Sequence, residues 1–199
     1  MRRFHILSFW CLLLFCTYPA THAGAQINSI GVNKYSNFYV KERIRQIYNE
    51  VSKAYKEAFK ATLEGDTAWQ TPDIRRFLSS EFKIDEYKVY QYDSLHCPDF
   101  KGYDYLDYWV QHMEPEGFDY EISSVNVIDG FHAEAELAIG KPYNYSLTLT
   151  LLFEDSDWYI DDFRRKECRS ERERMEYYVR TGGKNMPFSK EQITIKIEK

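Results

Sequence analysis

The chain has 199 residues, of which 31 are acidic and 26 are basic, and its formal net charge is −5 at pH 7. An acidic chain gains nothing from the counterion release that drives nucleic-acid binding, so this charge argues against a nucleic-acid partner. The length fits one domain after removal of a short N-terminal segment, and no repeat or long linker divides the sequence.

The first 25 residues predict a cleavable signal peptide. Two arginines follow the initiating methionine, an apolar run covers residues 6–15, and residues 23–25 are the small side chains that a signal peptidase requires. The run is shorter than the roughly 20 residues of a membrane span, so membrane contact is expected only through this segment. An uncleaved anchor, or a lipid attached at Cys16, is the alternative. The mature protein is expected to begin at Gln26, in the periplasm or outside the cell.

Cysteine usage agrees with export. Cys11 and Cys16 fall in the predicted signal peptide, which leaves Cys97 and Cys168 in the mature chain. A single pair of cysteines in an oxidising compartment predicts a disulfide, which could contribute roughly 4 kcal/mol in the chain-entropy model. The alternative is two free thiols that lie too far apart to bond.

Apolar residues recur at steps of three and four over residues 36–64, with charged residues between them, and this pattern predicts a long amphipathic helix. Thr71 and Pro72 predict the cap and the first residue of a second helix. Further helices are predicted over residues 84–92 and, from a less regular pattern, over residues 103–112.

From Phe118 the apolar period changes to two, which predicts β-strands. The phase slips at Ser123-Ser124, as expected for a β-bulge. Asp129-Gly130 predicts a two-residue hairpin turn. Tight turns between successive strands predict an antiparallel meander. The predicted strands cover residues 118–127, 132–139, 143–153 and 158–163.

A last helix is predicted after the meander. Ser170 and Glu173 have the spacing of a capping box, and Gly182-Gly183 ends the helix. The charged run over residues 171–174 is interpreted as a solvated helix face. The expected division of the chain is signal peptide 1–25, N-terminal extension 26–37, domain 38–181 and C-terminal tail 182–199.

This order of elements resembles the cone-shaped nuclear transport factor 2-like fold over residues 39–163. The most specific piece is LLFEDSDWYIDDF at residues 151–163, which is similar to the end of many exported bacterial domains of this fold, several of them in families without assigned function. RFLSSEF at residues 76–82 is similar to the end of their second helix. The resemblance implies an α+β fold, with N-terminal helices packed on a bent four-stranded antiparallel meander. It does not imply one activity, because this fold hosts isomerases, dehydratases and binding modules.

Enzymes of the resembled fold place an acid or a His–Asp pair in an apolar pocket. His132 and Glu134 share one face of a predicted strand and could form a proton-transfer pair, although their alternation with alanines favours a solvated outer face. Asp161 and Asp162 point to opposite faces of the last strand. One of them could therefore lie inside with a raised pKa and act as a base, or could cap a turn or pair with an arginine.

Tyrosine and tryptophan side chains suit protein or small-ligand recognition, because they supply contact area and a polar tip. The alternative is that they complete the core. No motif for a metal or cofactor occurs, and carboxylates between residues 93 and 107 lack the spacing of a calcium loop. The predicted ligand- or partner-binding residues are Tyr103, Tyr105, Tyr108, Trp109, Tyr120 and Trp158.

The sequence as a whole predicts an exported, non-enzymatic domain that binds a protein or small molecule in the cell envelope. An immunity-type inhibitor is one form of such a domain, because an acidic inhibitor suits a basic toxin. The alternative is a small-molecule lyase or isomerase that uses a pocket carboxylate or histidine as acid–base group. A homodimer that packs through the open sheet face is a further expectation.

Overall fold

A computed structural model of the protein describes residues 33–66, 72–103, 107–111 and 117–186. These residues form three α-helices and one four-stranded antiparallel sheet, and they belong to one compact unit. The helices are α1 (Asn37–Glu64), α2 (Ser80–His96) and α3 (Glu171–Arg180). The strands are β1 (Tyr120–Val127), β2 (His132–Ile139), β3 (Tyr145–Glu154) and β4 (Asp157–Arg165). The predicted signal peptide and parts of the predicted extension and tail lie outside the described residues.

The prediction of a long amphipathic helix is confirmed by α1. The Ser36 hydroxyl caps it by accepting from the backbone N–H of Tyr39, and Gly65 ends it with a φ of 67°, which glycine adopts without strain. The apolar stripe continues past the core, because Phe59 and Leu63 are exposed. The buried part of the stripe consists of Val40, Ile44, Ile47, Tyr48, Val51 and Tyr55.

The predicted second helix is wrong in form. The chain makes a single 3₁₀ turn at Ile74–Phe77, and Thr71 lies outside the described residues. Leu78 then forms a parallel bridge with Ile160 of β4, so the backbone must become extended and cannot continue as a helix. Ser79 caps α2, which extends beyond the predicted residues 84–92 at both ends.

The predicted antiparallel meander is confirmed, with strand order β1-β2-β3-β4. The predicted bulge is present in β1, where the register shifts between Ile122 and Ser124. A second shift, which the sequence pattern did not predict, occurs where β4 pairs with Thr150 and Leu151 of β3. It leaves Asp161 as the extra residue of β4.

The predicted two-residue turn at Asp129-Gly130 is wrong. The connection spans residues 128–131, and neither residue of the dipeptide has the positive φ that a type I′ turn requires. The Asp129 carboxylate instead accepts from the backbone N–H groups of Phe131 (2.7 Å) and His132 (2.8 Å). This side-chain contact stabilises the longer loop.

One face of the sheet packs into the core, as the alternating pattern predicts. Its side chains belong to the same buried cluster as the stripe of α1 and the rings of Trp109, Phe118 and Phe163. Among the described residues, no helix has the length and apolar character needed to cross a bilayer. The buried sheet residues include Ala133, Ala135, Leu137, Ile139, Leu147, Leu149 and Leu151.

Candidate functional site

Asp161 and Asp162 lie at the bulge of β4, against the N-terminus of α3. Asp161 accepts from the Ser79 hydroxyl (2.6 Å) and from the Arg172 guanidinium (2.7 Å). Asp162 accepts from the backbone N–H of Arg172 (3.1 Å) and of Phe163 (2.8 Å), and burial raises its pKa. These contacts join α2, β4 and α3. Asp161 pairs with an arginine and Asp162 caps the first turn of α3, which are the structural roles that the sequence analysis gave as the alternative to an acid–base role.

Arg172 is the centre of this junction. Its guanidinium lies 2.7 Å from Asp161, 2.8 Å from Asp85 and 3.6 Å from Glu81, measured between nitrogen and carboxylate oxygen. Burial alone would raise the pKa of Asp85, but hydrogen bonds from Lys88 and Arg172 hold it below its ordinary value. The junction is therefore held by charged groups that are already paired with one another.

His132 and Glu134 lie on the exposed face of β2. The His132 ring nitrogen Nδ1 is 3.0 Å from both carboxylate oxygens of Asp129, and the His132 side chain is 52% exposed. This contact with Asp129 belongs to the β1–β2 loop. The surroundings are those of a solvated outer face, without the burial that a shielded proton-transfer pair needs.

The aromatic residues predicted to bind a ligand are mostly inside the protein. Trp158 is fully buried and its indole N–H donates to the Lys34 carbonyl (2.7 Å). Tyr103 and Trp109 are also buried, whereas Tyr108 and Tyr120 are half-buried. Tyr105 lies outside the described residues. A binding role for these six residues stays a prediction. Of the described members, only the partly exposed rings of Tyr108 and Tyr120 can contact a ligand from solvent.

Asp107 is a partly buried carboxylate that the sequence pattern suggested only as a calcium ligand. Its Oδ1 accepts from the backbone N–H groups of Trp109 (3.1 Å) and Val110 (3.3 Å), and its Oδ2 accepts from the Tyr55 hydroxyl. Burial raises the pKa of the Asp107 carboxyl. Residues 107–111 form a turn, so the helix predicted over residues 103–112 is wrong for the part that the structure describes.

Tyrosines surround this carboxylate. Burial raises the pKa of Tyr48, Tyr108 and Tyr145, and the charge of Asp107 acts on all three in the same direction. Within the described part of the chain, the Tyr145 hydroxyl and the Trp109 indole nitrogen are buried without a hydrogen-bond partner. Buried polar atoms in that state are suited to water or to a small polar molecule.

The interpretation of residues 171–174 as a solvated face is wrong for Glu171 and Arg174, each of which is 1% exposed. Arg174 Nη1 lies 2.8 Å from Glu171 Oε2, and the Tyr103 hydroxyl donates to Glu171 Oε1 at 2.8 Å. Burial raises the pKa of Glu171. Because Tyr103 is far away in sequence, no pattern local to α3 could show that its first turn is inside.

The predicted disulfide between Cys97 and Cys168 is not present in the structure. Cys97 hydrogen-bonds with the hydroxyl of Tyr178, in the C-terminal half of α3. Cys168 precedes Ser170, the cap of that helix. Ser170 and Tyr178 are about 12 Å apart along the helix axis. Cys97 is therefore next to a side chain from the C-terminal half of α3, whereas Cys168 lies close in sequence to its N-terminal cap.

The outward side of α2 carries several exposed apolar residues, interspersed with the exposed polar residues Lys88, Gln91 and Ser94. Tyr87 and Tyr90 are 58% and 64% exposed, and their rings stack with centroids 6.3 Å apart. Ile84, Leu95 and Phe100 are exposed as well, and Phe100 shares a pocket wall with Tyr90. We name these five residues the aromatic face of α2. Sequence reasoning missed it because α2 carries apolar residues on more than one side, so no amphipathic pattern separates inside from outside.

A pocket of about 450 Å³ adjoins the aromatic face of α2. Tyr90 and Phe100 form part of its wall, together with the polar groups of Asp93, Ser94 and Lys101. The pocket could accept one side chain of a partner beside the tyrosine stack. Its remaining lining residues are Cys97, Pro98 and Asp99.

A second, more polar concavity of about 610 Å³ lies between α1 and β1. The Tyr120 side chain extends from β1 toward α1, and its hydroxyl donates to Asn49 Oδ1 at 2.7 Å. We name this concavity the α1–β1 groove. It is lined by Lys41, Arg45, Asn49, Ser52, Lys56, Asp119, Tyr120, Glu121 and Ile122.

Comparisons with known proteins give no relative from which a function could be transferred. No family model matches the chain, and searches of curated proteins and of solved structures also find no match. Among the described residues, no group of three or more His, Cys, Asp or Glu side chains is placed to hold a metal ion. Function must therefore be argued from the geometry of this chain alone.

Proposed function

We propose that the chain is an exported, non-enzymatic domain that binds another protein of the cell envelope through the aromatic face of α2. The observation that carries the proposal is the stack of Tyr87 and Tyr90 in an exposed position next to Ile84. Exposed apolar clusters of this kind mark interaction sites, and tyrosine is enriched among the residues that dominate binding energy.

The surroundings of the stack support protein recognition. The adjoining pocket has a mixed wall, with Phe100 and Tyr90 next to Asp93 and Lys101, as expected for a site that holds one anchoring side chain. Tyrosine loses little conformational freedom on binding, so the surface can be contacted at a small entropic cost.

The contacts of the predicted acid–base residues favour binding over catalysis. Asp161 holds Arg172 and Ser79, Asp162 satisfies the first turn of α3, and His132 pairs with Asp129 in an exposed loop. Each group already has a structural role. The proposed fold is the nuclear transport factor 2-like cone, which is supported by the long first helix and the bulged meander. The proposed location outside the cytoplasm rests on the signal-peptide pattern of residues 1–25.

The test uses the mature chain from Gln26 and two double variants. Tyr87→Ser with Tyr90→Ser removes the stack, while Phe59→Ser with Leu63→Ser removes two exposed apolar side chains at the far end of α1. Cross-linking in a periplasmic extract, followed by purification of the captured protein, gives a partner whose affinity can be measured directly. We expect the stack variant to bind at least about tenfold more weakly and the α1 variant to bind normally, as for a tyrosine pair at the centre of an interface.

Two outcomes would count against this proposal. One is equal affinity for the wild type and the stack variant. The other is self-association of the purified chain that the stack variant abolishes, since a second copy would then occupy the aromatic face. Sedimentation velocity of the chain alone separates the second outcome from binding of a different protein. An immunity-type role would show itself as a toxin among the captured partners.

A second function is favoured by the surroundings of Asp107. A partly buried carboxyl with a raised pKa, hydrogen-bonded to a tyrosine hydroxyl, is a group that a small-molecule lyase or isomerase uses to move a proton. Deuterium exchange next to the carbonyl of small cyclic ketones, followed by mass spectrometry, tests this chemistry. Catalysed exchange that is lost in Asp107→Asn would replace the binding proposal with the enzyme. Equal, uncatalysed exchange in both proteins would leave Asp107 a structural role.

A further inference from the structure

Four large apolar side chains are exposed at one end of the sheet, where β1 and β3 end and β2 and β4 begin. Two of them come from the start of α1 and the residues before it, and two come from the β1–β2 loop. Their exposed fractions range from 50% to 74%. We name these residues the strand-end patch: Tyr35, Phe38, Ile128 and Phe131.

At the β1 side of the strand-end patch, the first turn of α1 is joined to the end of the strand. The Asn37 side chain accepts from the backbone N–H of Val127 at 2.9 Å. Phe38 and Ile128 are the residues that follow this bonded pair, so their backbones are neighbours. Both side chains are mostly in water, with exposed fractions of 74% and 56%.

At the β3 side of the strand-end patch, Phe153 joins the other two members. Its backbone N–H donates to the Phe131 carbonyl at 2.8 Å, and its ring lies 4.9 Å from the ring of Tyr35, measured between centroids. The Trp158 indole donates to the carbonyl of Lys34, which fixes the chain just before Tyr35 at the start of β4. The segment that leads into α1 therefore crosses the strand ends from β4 to β1.

The strand-end patch has the size of an interaction site. With about 200 Å² for a whole side chain, the exposed fractions give about 500 Å² of mainly apolar surface. Apolar patches of this size are among the largest on monomeric proteins and are often functional. A standard protein interface buries about 800 Å² on each partner, so the patch and its polar rim together supply one side of such an interface.

The rim of the strand-end patch carries charges of both signs. Lys41 lies one turn of α1 after Phe38, at the β1 side, and side chains of a helix lean toward its N-terminus. Asp155 is exposed in the β3–β4 turn, at the other side. Neither Lys41 nor Asp155 makes an ion pair with any described residue. The second base at the β4 side, Lys34, donates to the Ser156 carbonyl at 2.6 Å.

We propose that two copies of the chain associate through the strand-end patch about a two-fold axis. Such an axis exchanges the two sides of the patch, so Lys41 of each copy faces the partner's Asp155. The apolar side chains fill the centre of the interface, and the two ion pairs lie at its rim. A lipid surface fits the patch less well, because the exposed carboxylates of Asp129 and Asp155 would repel an anionic bilayer.

The strand-end patch differs from the surface through which the sequence predicts a homodimer. That prediction concerns the open face of the sheet, where β2 exposes His132, Glu134 and Glu136. A polar face of this kind is suited to water, whereas removal of the apolar patch from water favours association. The patch shares no residue with the aromatic face of α2, so the inference does not depend on the function proposed above.

Sedimentation equilibrium of the mature chain from Gln26 tests the proposal. We expect a dimer with a dissociation constant of about 10–100 μM, since the apolar area is smaller than that of a standard interface. Phe38→Ser with Phe131→Ser removes two rings of the patch and should weaken association at least about tenfold. Phe59→Ser with Leu63→Ser removes two exposed apolar side chains at the far end of α1. This matched control should associate as the wild type does.

A double-variant cycle tests the two-fold arrangement. Lys41→Gln removes the base, and Asp155→Asn removes the acid while keeping a residue suited to the left-handed backbone at this position (φ 46°). Each single variant should weaken the dimer about fivefold, because each loses both ion pairs of the interface. Because the two groups face each other, the double variant should associate no more weakly than either single variant. Additive losses, about twenty-five-fold together, would overturn the arrangement.

Three further results would overturn the proposal. The first is a chain that stays monomeric at about 1 mM, well above the expected dissociation constant. The second is a dimer that Tyr87→Ser with Tyr90→Ser abolishes and the strand-end variant leaves intact, which would assign self-association to the aromatic face of α2. The third is a monomeric chain that binds vesicles of phosphatidylethanolamine and phosphatidylglycerol and loses this binding in the strand-end variant, which would assign the patch to a lipid surface.

Discussion

Glu171 and Arg174 of α3 are charged and almost completely buried, whereas Tyr87 and Tyr90 of α2 are aromatic and more than half exposed. The charged pair is inside because each member has a partner, and the hydroxyl of Tyr103 adds a further hydrogen bond. The tyrosines remain outside because the buried side of α2 is already supplied by other apolar residues. At these two places, burial depends on the partners available to a side chain as well as on its polarity.

The largest expected effect comes from removing one member of the buried ion pair. Glu171→Ala removes the carboxylate that pairs with the buried charge of Arg174, and breaking a buried pair in this way costs about 3–5 kcal/mol. Urea unfolding followed by tryptophan fluorescence measures the change in the free energy of unfolding. Glu176→Ala, at an exposed position of the same helix, is the control and should change this free energy by less than about 0.5 kcal/mol.

A loss below about 1 kcal/mol for Glu171→Ala would mean that the first turn of α3 is solvated, and the comparison with α2 would then fail. The double variant Glu171→Leu with Arg174→Met sharpens the test. It removes both charges together, so it should be more stable than the single variant.

The second expected effect is a pH dependence at Asp107. Because burial raises its pKa in the folded protein, the folded chain binds this proton more tightly than the unfolded chain does. The contribution of Asp107 to stability should therefore increase as the pH falls from 7 toward the unfolded pKa of about 4. Asp107→Asn lacks this proton, so the free energy of unfolding of the wild type minus that of the variant should be larger at pH 4.5 than at pH 7.

Urea unfolding of both proteins at the two pH values measures that difference. All other carboxyls titrate in both proteins, so the comparison isolates Asp107. A difference that stays constant with pH would show that the carboxyl is solvated, and one that falls on acidification would show that it is held ionised by its hydrogen bonds.

Elements whose causes are local could be predicted from the sequence. The stripe of α1, the alternation of β2 and β3 and the capping box of Ser170 with Glu173 each depend on residues a few positions apart. The one-residue slip at Ser123-Ser124 also shows in the sequence, because a bulge moves the apolar residues to the other phase.

Features that depend on distant partners could not be predicted. Asp161 is the extra residue of β4 and contacts Arg172, whereas an unbroken alternation would place one of the two aspartates toward the interior. Whether Cys97 and Cys168 meet depends on how α3 packs against α2, for which the sequence has no local signal, and the structure shows no disulfide between them. The candidate site on α2 was missed for the same reason, since exposure of Tyr87 is set by what the rest of the chain leaves uncovered.

The smallest expected effect on stability is at the aromatic face of α2. Tyr87→Ser with Tyr90→Ser removes two large rings, but both are mostly in water in the folded chain, so each substitution should change the free energy of unfolding by less than about 0.5 kcal/mol. The measurement is the same urea titration used for Glu171→Ala. A loss of 2 kcal/mol or more would mean that the tyrosines pack against residues of this chain in solution, and the aromatic face would then belong to the core. A loss near zero, together with weakened partner binding, would show that the two rings are kept for an interaction and contribute nothing to the fold.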